Sequence, residues 1–404
     1  MNSISTTLDI RLLPRTAKPW VSLLNRIAVG TLILTTPNGQ VLRFGDGSGP
    51  KADMQLSNWS ALRKLFRHGD IGLAECYRDG LIGTSNPSAL IRLGIRNQEV
   101  LERAIHGSRL LNLGYRLKHL LRRNSRRGSA RNIGAHYDLG NDFYALWLDP
   151  SMTYSAARFD AGREIPLSQA QDAKYQRMLE LIRARPGDSL LEIGCGWGGF
   201  AEYAARQGIR VQGVTLSRRQ LAYARKRIAR AGLGSLASFE LRDYRDVTET
   251  YDHIVSIEML EAVGEAYWPI YFERLQALLK PGGRAAIQTI VIDDEHFERY
   301  RRGTDFIQQY IFPGGMLPAP GRLQELAGAA GFRIGCYETF GPDYAETLRR
   351  WRRRFEVNLA ALRQLGFDTP FIRLWRFYLA YCEAGFDEGR INVAQFQLVR
   401  EGEQ

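Results

Sequence analysis

Residues 188–200 read Asp-Ser-Leu-Leu-Glu-Ile-Gly-Cys-Gly-Trp-Gly-Gly-Phe, and residues 211–220 read Val-Gln-Gly-Val-Thr-Leu-Ser-Arg-Arg-Gln. A short apolar run (Leu190, Leu191, Ile193) carries one acid, Glu192, and ends in Gly194, Gly196, Gly198 and Gly199. The pattern predicts an amphipathic helix from Phe200 to Gln207, then a second strand, Val211 to Val214, ending in Thr215-Leu216-Ser217. Strand, glycine turn, helix and strand make the first crossover unit of an open α/β sheet, whose ligands sit at the carboxyl ends of the strands. The spacing of Gly194, Gly196 and Gly199 satisfies a dinucleotide fingerprint. The second strand, however, ends in Thr215 where that fingerprint wants an acid for the ribose. No Gly-Lys-Ser/Thr follows, so a Walker loop is excluded.

A chain of 404 residues predicts two or three domains, at ~100–200 residues each. No stretch approaches the ~20 apolar residues of a membrane span, and the first residues carry no secretory pattern. Cys76, Cys195, Cys336 and Cys382 are scattered and form no CxxC pair, which reads as reduced cytoplasmic thiols. The six histidines are equally scattered, so no metal centre is expected. The formal charge of +12 favours an anionic partner, either nucleic acid or an anionic membrane face. Basic residues gather at 116–131 and at 349–354, where Trp351 is embedded.

Three segments follow from this pattern. Residues 1–121 read as an α+β module: a hairpin over 30–44 turning at Pro37-Asn38-Gly39, a helix from Asn58 to Arg67, another from Ala89 to Asn97, and a basic amphipathic helix from Leu110 to Leu121. Residues 122–133 read as a basic linker, and residues 134–404 as the domain that holds the glycine turn.

The form E-x-G-C-G-x-G-G followed by G-V-T-L-S resembles the cofactor motif of S-adenosylmethionine-dependent methyltransferases. Residues 136–144, H-Y-D-L-G-N-D-F-Y, and 148–155, L-D-P-S-M-T-Y-S, make the resemblance specific. Together with Val255-Ser-Ile-Glu-Met-Leu-Glu-Ala-Val-Gly, Tyr310-Ile-Phe-Pro-Gly-Gly and Phe340-Gly-Pro-Asp-Tyr, they resemble cyclopropane fatty-acyl-phospholipid synthases and mycolic acid methyltransferases, in order along residues 134–404. The resemblance implies an α/β protein: a class I methyltransferase domain of Rossmann-like topology, preceded by a small α+β lipid-associated domain.

In that reading Gly194 and Gly196 approach the amino-acid end of the cofactor. Thr215, Leu216 and Gln220 line its ribose, Asp243 and Tyr244 meet its adenine, and Tyr154 and Ser155 also reach it. Arg245 stands where some relatives carry an acid. In the cyclopropane-forming relatives a bicarbonate base is held by a cysteine, a glutamate, a histidine and a tyrosine. The resemblance maps the glutamate to Glu261 and the tyrosine to Tyr344, but Ala156 stands for the cysteine, Gln288 for the histidine, and Ala262 where another histidine is common. Glu261, Tyr344 and Gln288 are therefore the expected catalytic set, with bicarbonate as a candidate second cofactor. Glu258, three residues before Glu261, would share its face if the segment were helical, and is read as a surface or structural acid. Residues 293–316 suit the wall of an acyl tunnel, with Tyr310 and Phe312 as wall residues.

The expected function is methyl transfer to the double bond of an unsaturated phospholipid acyl chain, giving a cyclopropane or a methyl-branched product. The expected setting is cytoplasmic, peripheral on the inner face of the cell membrane, with an anionic membrane surface as partner, a homodimer as assembly and no nucleic acid. A non-catalytic protein that binds S-adenosylmethionine and lipid is the rival reading. A nucleic-acid methyltransferase is disfavoured because no N/D-P-P-Y/F motif is present.

Overall fold

A computed structural model of the protein describes residues 13–104 and 139–400. The basic helix expected at 110–121, the linker at 122–133 and His136-Tyr137-Asp138 lie outside the described residues. Packing divides the chain into two compact units. The first joins the N-terminal residues to 359–388; the second runs to Asn358 and resumes at Gly389. The expectation that everything after residue 134 forms one domain is thus corrected for one segment. The helix Thr369–Asp387 packs against the helices Ser60–Arg78 and Pro87–Arg96, with Phe377 against Tyr77 (5.8 Å).

In the first unit β1 (Thr31–Thr35) pairs antiparallel with β2 (Val41–Phe44) across the expected turn. The pattern missed β3 (Lys51–Leu56), which lies parallel to β1 and carries β4 (Ile82–Gly83) on its other edge. Leu32, Leu34, Leu42, Phe44, Ala52, Met54 and Leu56 alternate into one buried cluster, as a half-buried sheet requires. The helix expected to stop at Arg67 runs from Ser60 to Arg78 through a kink at Gly69 (φ 58°, ψ −130°), a conformation that suits glycine. Tyr381 on the late helix donates to Asp70 just past that kink (2.9 Å). Glu388 accepts from both Arg92 and Arg96 at 2.6 Å.

The second unit is built on a seven-stranded sheet. Its strands are β5 (Ser189–Ile193), β6 (Arg210–Thr215), β7 (Ala237–Leu241), β8 (Tyr251–Ile257), β9 (Leu279–Ile292), β10 (Phe332–Thr339) and β11 (Ile391–Arg400). The order across the sheet is β7-β6-β5-β8-β9-β11-β10, with β11 antiparallel to both neighbours and the pairs from β7 to β9 parallel. Parallel strands covered on both faces read as continuous apolar runs. Accordingly Leu190 belongs to one buried cluster while Leu191 and Ile193 belong to another. The helix Gly199–Arg206 follows the glycine turn as predicted. Between β5 and β8 the strand order reverses, so the crevice for a ligand opens where Gly194 follows β5 and Glu258 follows β8.

Among the described residues no helix is long and apolar enough to cross a membrane. The basic segment at 349–354 is less free than its composition suggests. Arg349 and Arg350 both bind Glu346, Arg350 also donates to the Ile165 carbonyl (2.6 Å), and Trp351 is fully buried. Arg353 and Arg354 are its exposed cations.

Candidate active site

The turn after β5 is tied back to β6, because the amides of Gly194 and Cys195 both donate to the Val214 carbonyl (3.0 and 3.1 Å). Gly194 (φ +84°) and Gly196 (φ +51°) adopt conformations that side chains disfavour. A Cβ on Gly194 would lie 2.9 Å from Met259 Cγ, whereas one on Gly196 would meet nothing within 4 Å. Gly196 therefore faces open space, the approach a ligand needs. Beside it Glu192 is buried, and its Oε2 has no hydrogen-bond partner among the described residues. Burial pushes this carboxyl up to about 8, with Lys174 pulling it back. An unsatisfied acid next to an open glycine turn fits the ammonium of an amino-acid group. Trp197 Nε1 donates to Asn141 Oδ1 (2.8 Å), which ties the turn to the segment that introduces Tyr154 and Ser155.

At the end of β6 Thr215 Oγ1 accepts from the Ser217 amide (3.1 Å) and contacts Gln220 Oε1 (3.3 Å), so Gln220 is held buried over the strand end with Leu216 half-buried beside it. Past β7, Asp243 is less open than expected: Arg245 donates to both its carboxylate oxygens (2.8 and 2.6 Å). Tyr244 packs edge-on against Tyr271 (5.5 Å) in the core, with its hydroxyl buried and without a partner among the described residues. Its expected stacking role is thus joined to a packing role.

The largest correction concerns the two glutamates. They do not share a helix face, because Glu258 is the turn residue after β8, with φ +49°, and the short 3-10 turn Leu260–Ala262 starts beyond it. It is Glu258, not Glu261, that Tyr344 and Gln288 meet. Glu258 Oε1 accepts from the Ala156 amide (2.8 Å) and from Gln288 Nε2 (2.8 Å), and Oε2 accepts from Tyr344 Oη (2.6 Å). Glu261 Oε1 instead accepts from the Ile290 amide (2.5 Å), and burial followed by repulsion from Glu258 pushes its carboxyl up to about 8. Glu261 is thus a buried carboxyl that holds its proton more tightly than an exposed glutamate.

The Gln288 amide is oriented from behind. Arg158 donates to Gln395 Oε1 (3.0 Å), which leaves Gln395 Nε2 to donate to Gln288 Oε1 (2.9 Å) and turns Gln288 Nε2 toward Glu258. Gln395 lies on β11 opposite Gln288 on β9, so the ladder register supplies the contact. Tyr344 sits in the first turn of the helix Gly341–Val357, whose Gly341 amide is capped by Asn392 Oδ1 (2.7 Å). Around this cluster Tyr154 packs against Tyr144, Trp147 and Trp351 with ring centroids 5.3–5.5 Å apart. Phe312 reaches the same tyrosine (6.3 Å), while Tyr310 stacks on Phe306 (5.9 Å). Such aromatic faces stabilise positive charge.

Residues 124–396 match the family model described as mycolic acid cyclopropane synthetase. The chain belongs to this family. Among its curated relatives, a tuberculostearic acid methyltransferase of Mycobacterium tuberculosis is 41% identical over 348 residues, covering 84% of this chain and 81% of that protein. A cyclopropane-fatty-acyl-phospholipid synthase of Escherichia coli is 33% identical over 371 residues, covering 88% and 89%. A mycolic acid cyclopropane synthase solved with SAH and CTAB superposes with a TM-score of 0.62 at 32% identity, covering 67% of this chain and 97% of that one. The second unit is therefore a class I S-adenosylmethionine methyltransferase domain, and S-adenosylmethionine is the methyl donor of the family. In this member of the mycolic acid cyclopropane synthetase family, Gly194→Ala is expected to weaken binding of S-adenosylhomocysteine roughly 5–30-fold by calorimetry. The new methyl must displace Met259 and hold an unfavourable φ, at about 1–2 kcal/mol.

Two residues of this cluster's surroundings carry weak signals in the sequence. Glu258 reads as a structural acid there, and Lys174 is wholly buried on the helix Leu167–Ile182. Its signal was a lysine in register with Ala170 and Met178 on the buried stripe of that helix.

Proposed function

We propose that this protein transfers the methyl carbon of S-adenosylmethionine to the double bond of an unsaturated fatty-acyl chain of a membrane phospholipid, with Glu258 as the base, giving a methyl-branched unsaturated chain. The observation that carries the reading is the convergence of three donors, the Ala156 amide, Gln288 Nε2 and Tyr344 Oη, on the Glu258 carboxylate. In the resemblance this set of positions surrounds a bicarbonate ion. Here a carboxylate of the chain itself takes those donors, which argues for an enzyme that works without added bicarbonate.

When bound, S-adenosylmethionine supplies an electrophilic methyl group and leaves with the sulfur electron pair. The alkene pair forms the new carbon–carbon bond, and the positive charge passes to the acyl chain. Tyr154, Phe312 and the neighbouring aromatic rings face that charge and exclude water. A carboxylate offers about four acceptor sites; the donors fill two on Oε1 and one on Oε2. The remaining site on Oε2 takes the proton from a carbon next to the cation, and the freed C–H pair closes a new double bond. Loss of a proton from the new methyl would instead close a cyclopropane ring.

Ala156 and Gln288 both meet Glu258, and with Ala262 beside Glu261 these departures support the branched outcome. The exposed Arg353 and Arg354 and the overall charge of +12 support a peripheral setting on anionic headgroups. The test is mass spectrometry of fatty acids after incubating the protein with S-adenosylmethionine and vesicles of monounsaturated phospholipid, without bicarbonate. The expected product is heavier by one methylene and takes up hydrogen to become a saturated methyl-branched chain. A product that resists mild hydrogenation would reverse the branched assignment, and an absolute need for bicarbonate would remove Glu258 from the role of base.

A further inference from the structure

Lys174 has no part in the steps above, yet it is a fully buried cation beside them. It lies on the helix Leu167–Ile182 one turn beyond Gln171, which is also fully buried. These two side chains grip a single residue. Gln171 Nε2 donates to the Ser155 carbonyl (3.0 Å), and Lys174 Nζ donates to Ser155 Oγ (2.7 Å). The face of the Tyr175 ring also lies 4.5 Å from Nζ. Glu258, Asp149 and Glu192 act on it at longer range.

An ammonium carries three N–H donors and no acceptor. While Lys174 is charged, Ser155 Oγ must accept in their bond, so the serine proton points elsewhere. Ala156, the next residue, gives its amide to Glu258. We propose that Lys174 is a positioning residue that holds the Ser155 hydroxyl as a hydrogen-bond donor toward the carboxylate of the cofactor's amino-acid end and keeps the Ala156 amide in register on Glu258. This rests on the cofactor reaching Ser155, as in the reading above. Burial pulls the ammonium down to about 7, while Glu258, Asp149 and Glu192 hold it up, so these acids help keep it charged.

Calorimetric titration with S-adenosylhomocysteine tests the inference without turnover. Lys174→Met and Ser155→Ala are each expected to weaken binding roughly 10–100-fold, the range for a hydrogen bond to a charged group. The double variant is expected to be no weaker than the worse single one, because both changes remove the same bond. In steady state Lys174→Met should raise KM for S-adenosylmethionine and also lower kcat through the Ala156 amide, whereas Ser155→Ala should act mainly on KM. Lys174→Gln, which keeps a donor in the same space, should recover part of the affinity and stands in if the methionine variant does not fold. Unchanged affinity in Ser155→Ala, or losses that multiply in the double variant, would overturn the proposal while leaving methyl transfer intact. Failure of the unaltered protein to bind S-adenosylhomocysteine would overturn both.

Discussion

Glu258→Gln is expected to lower kcat by roughly 10²–10⁴-fold, the usual contribution of a positioned base, with S-adenosylhomocysteine affinity within a few-fold of the unaltered protein. Glutamine fills the same volume and can still accept at one oxygen, but it cannot take the proton. Burial raises the Glu258 pKa above the ordinary glutamate range, against the pull of Tyr344, the Ala156 amide, Lys174 and Gln288. A base must be ionised to act, so the acid limb of kcat should lie above that range. Tyr344→Phe removes the donor on Oε2 and should move the limb further up, so activity lost at neutral pH returns at higher pH. Glu258→Gly should behave differently from Glu258→Gln. It leaves the three donors in place without their carboxylate and relieves the positive φ, which in a non-glycine residue costs about 1–3 kcal/mol. That variant should therefore regain activity on adding bicarbonate or formate. Full activity in Glu258→Gln, or loss of cofactor binding as its main defect, would sink the assignment of this residue as base.

The largest effect on stability is expected at Trp351. Its ring is fully buried and packs against Trp147, Tyr154 and Tyr344, with centroids 5.5–6.2 Å away. Trp351→Ala opens a large cavity in this cluster and should destabilise the unit by about 3–5 kcal/mol. At about 2–4 °C per kcal/mol for a domain of this size, the thermal midpoint should fall by roughly 10 °C. Trp351→Phe should be much milder, since it also deletes an indole N–H that is buried with no partner among the described residues. Scanning calorimetry of the two variants checks the order. Equal losses would mean that the unsatisfied N–H is satisfied by water or ligand, so that its removal relieves nothing.

The crossover unit at 189–215 was readable because every level agreed: apolar strand, glycine turn, amphipathic helix, second strand. The expected cofactor positions follow from strand ends, and Thr215 and Gln220 do meet at the end of β6. Glu258 escaped because its role depends on one backbone angle. Helical spacing joins residues three apart only within a helix, and here the chain turns through φ +49° before the helical turn begins. The burial of Trp351 is hidden in the sequence because its neighbours are arginines, two of which fold back onto Glu346. The placement of 359–388 is a pairing between distant parts of the chain, which local patterns do not encode.

That placement has a consequence for how the molecule is made. The first unit lacks its helix Thr369–Asp387 until the ribosome has passed residue 388, and the second lacks β11, with Gln395, until it has passed Arg400. Neither unit can close early during synthesis, because each waits for a segment that follows Asn358. A fragment ending at Asn358 would lose the strand between β9 and β10 and expose two sheet edges, which invites aggregation. The return of the late chain to its own earlier strands is thus a requirement before Gln395 can aim Gln288.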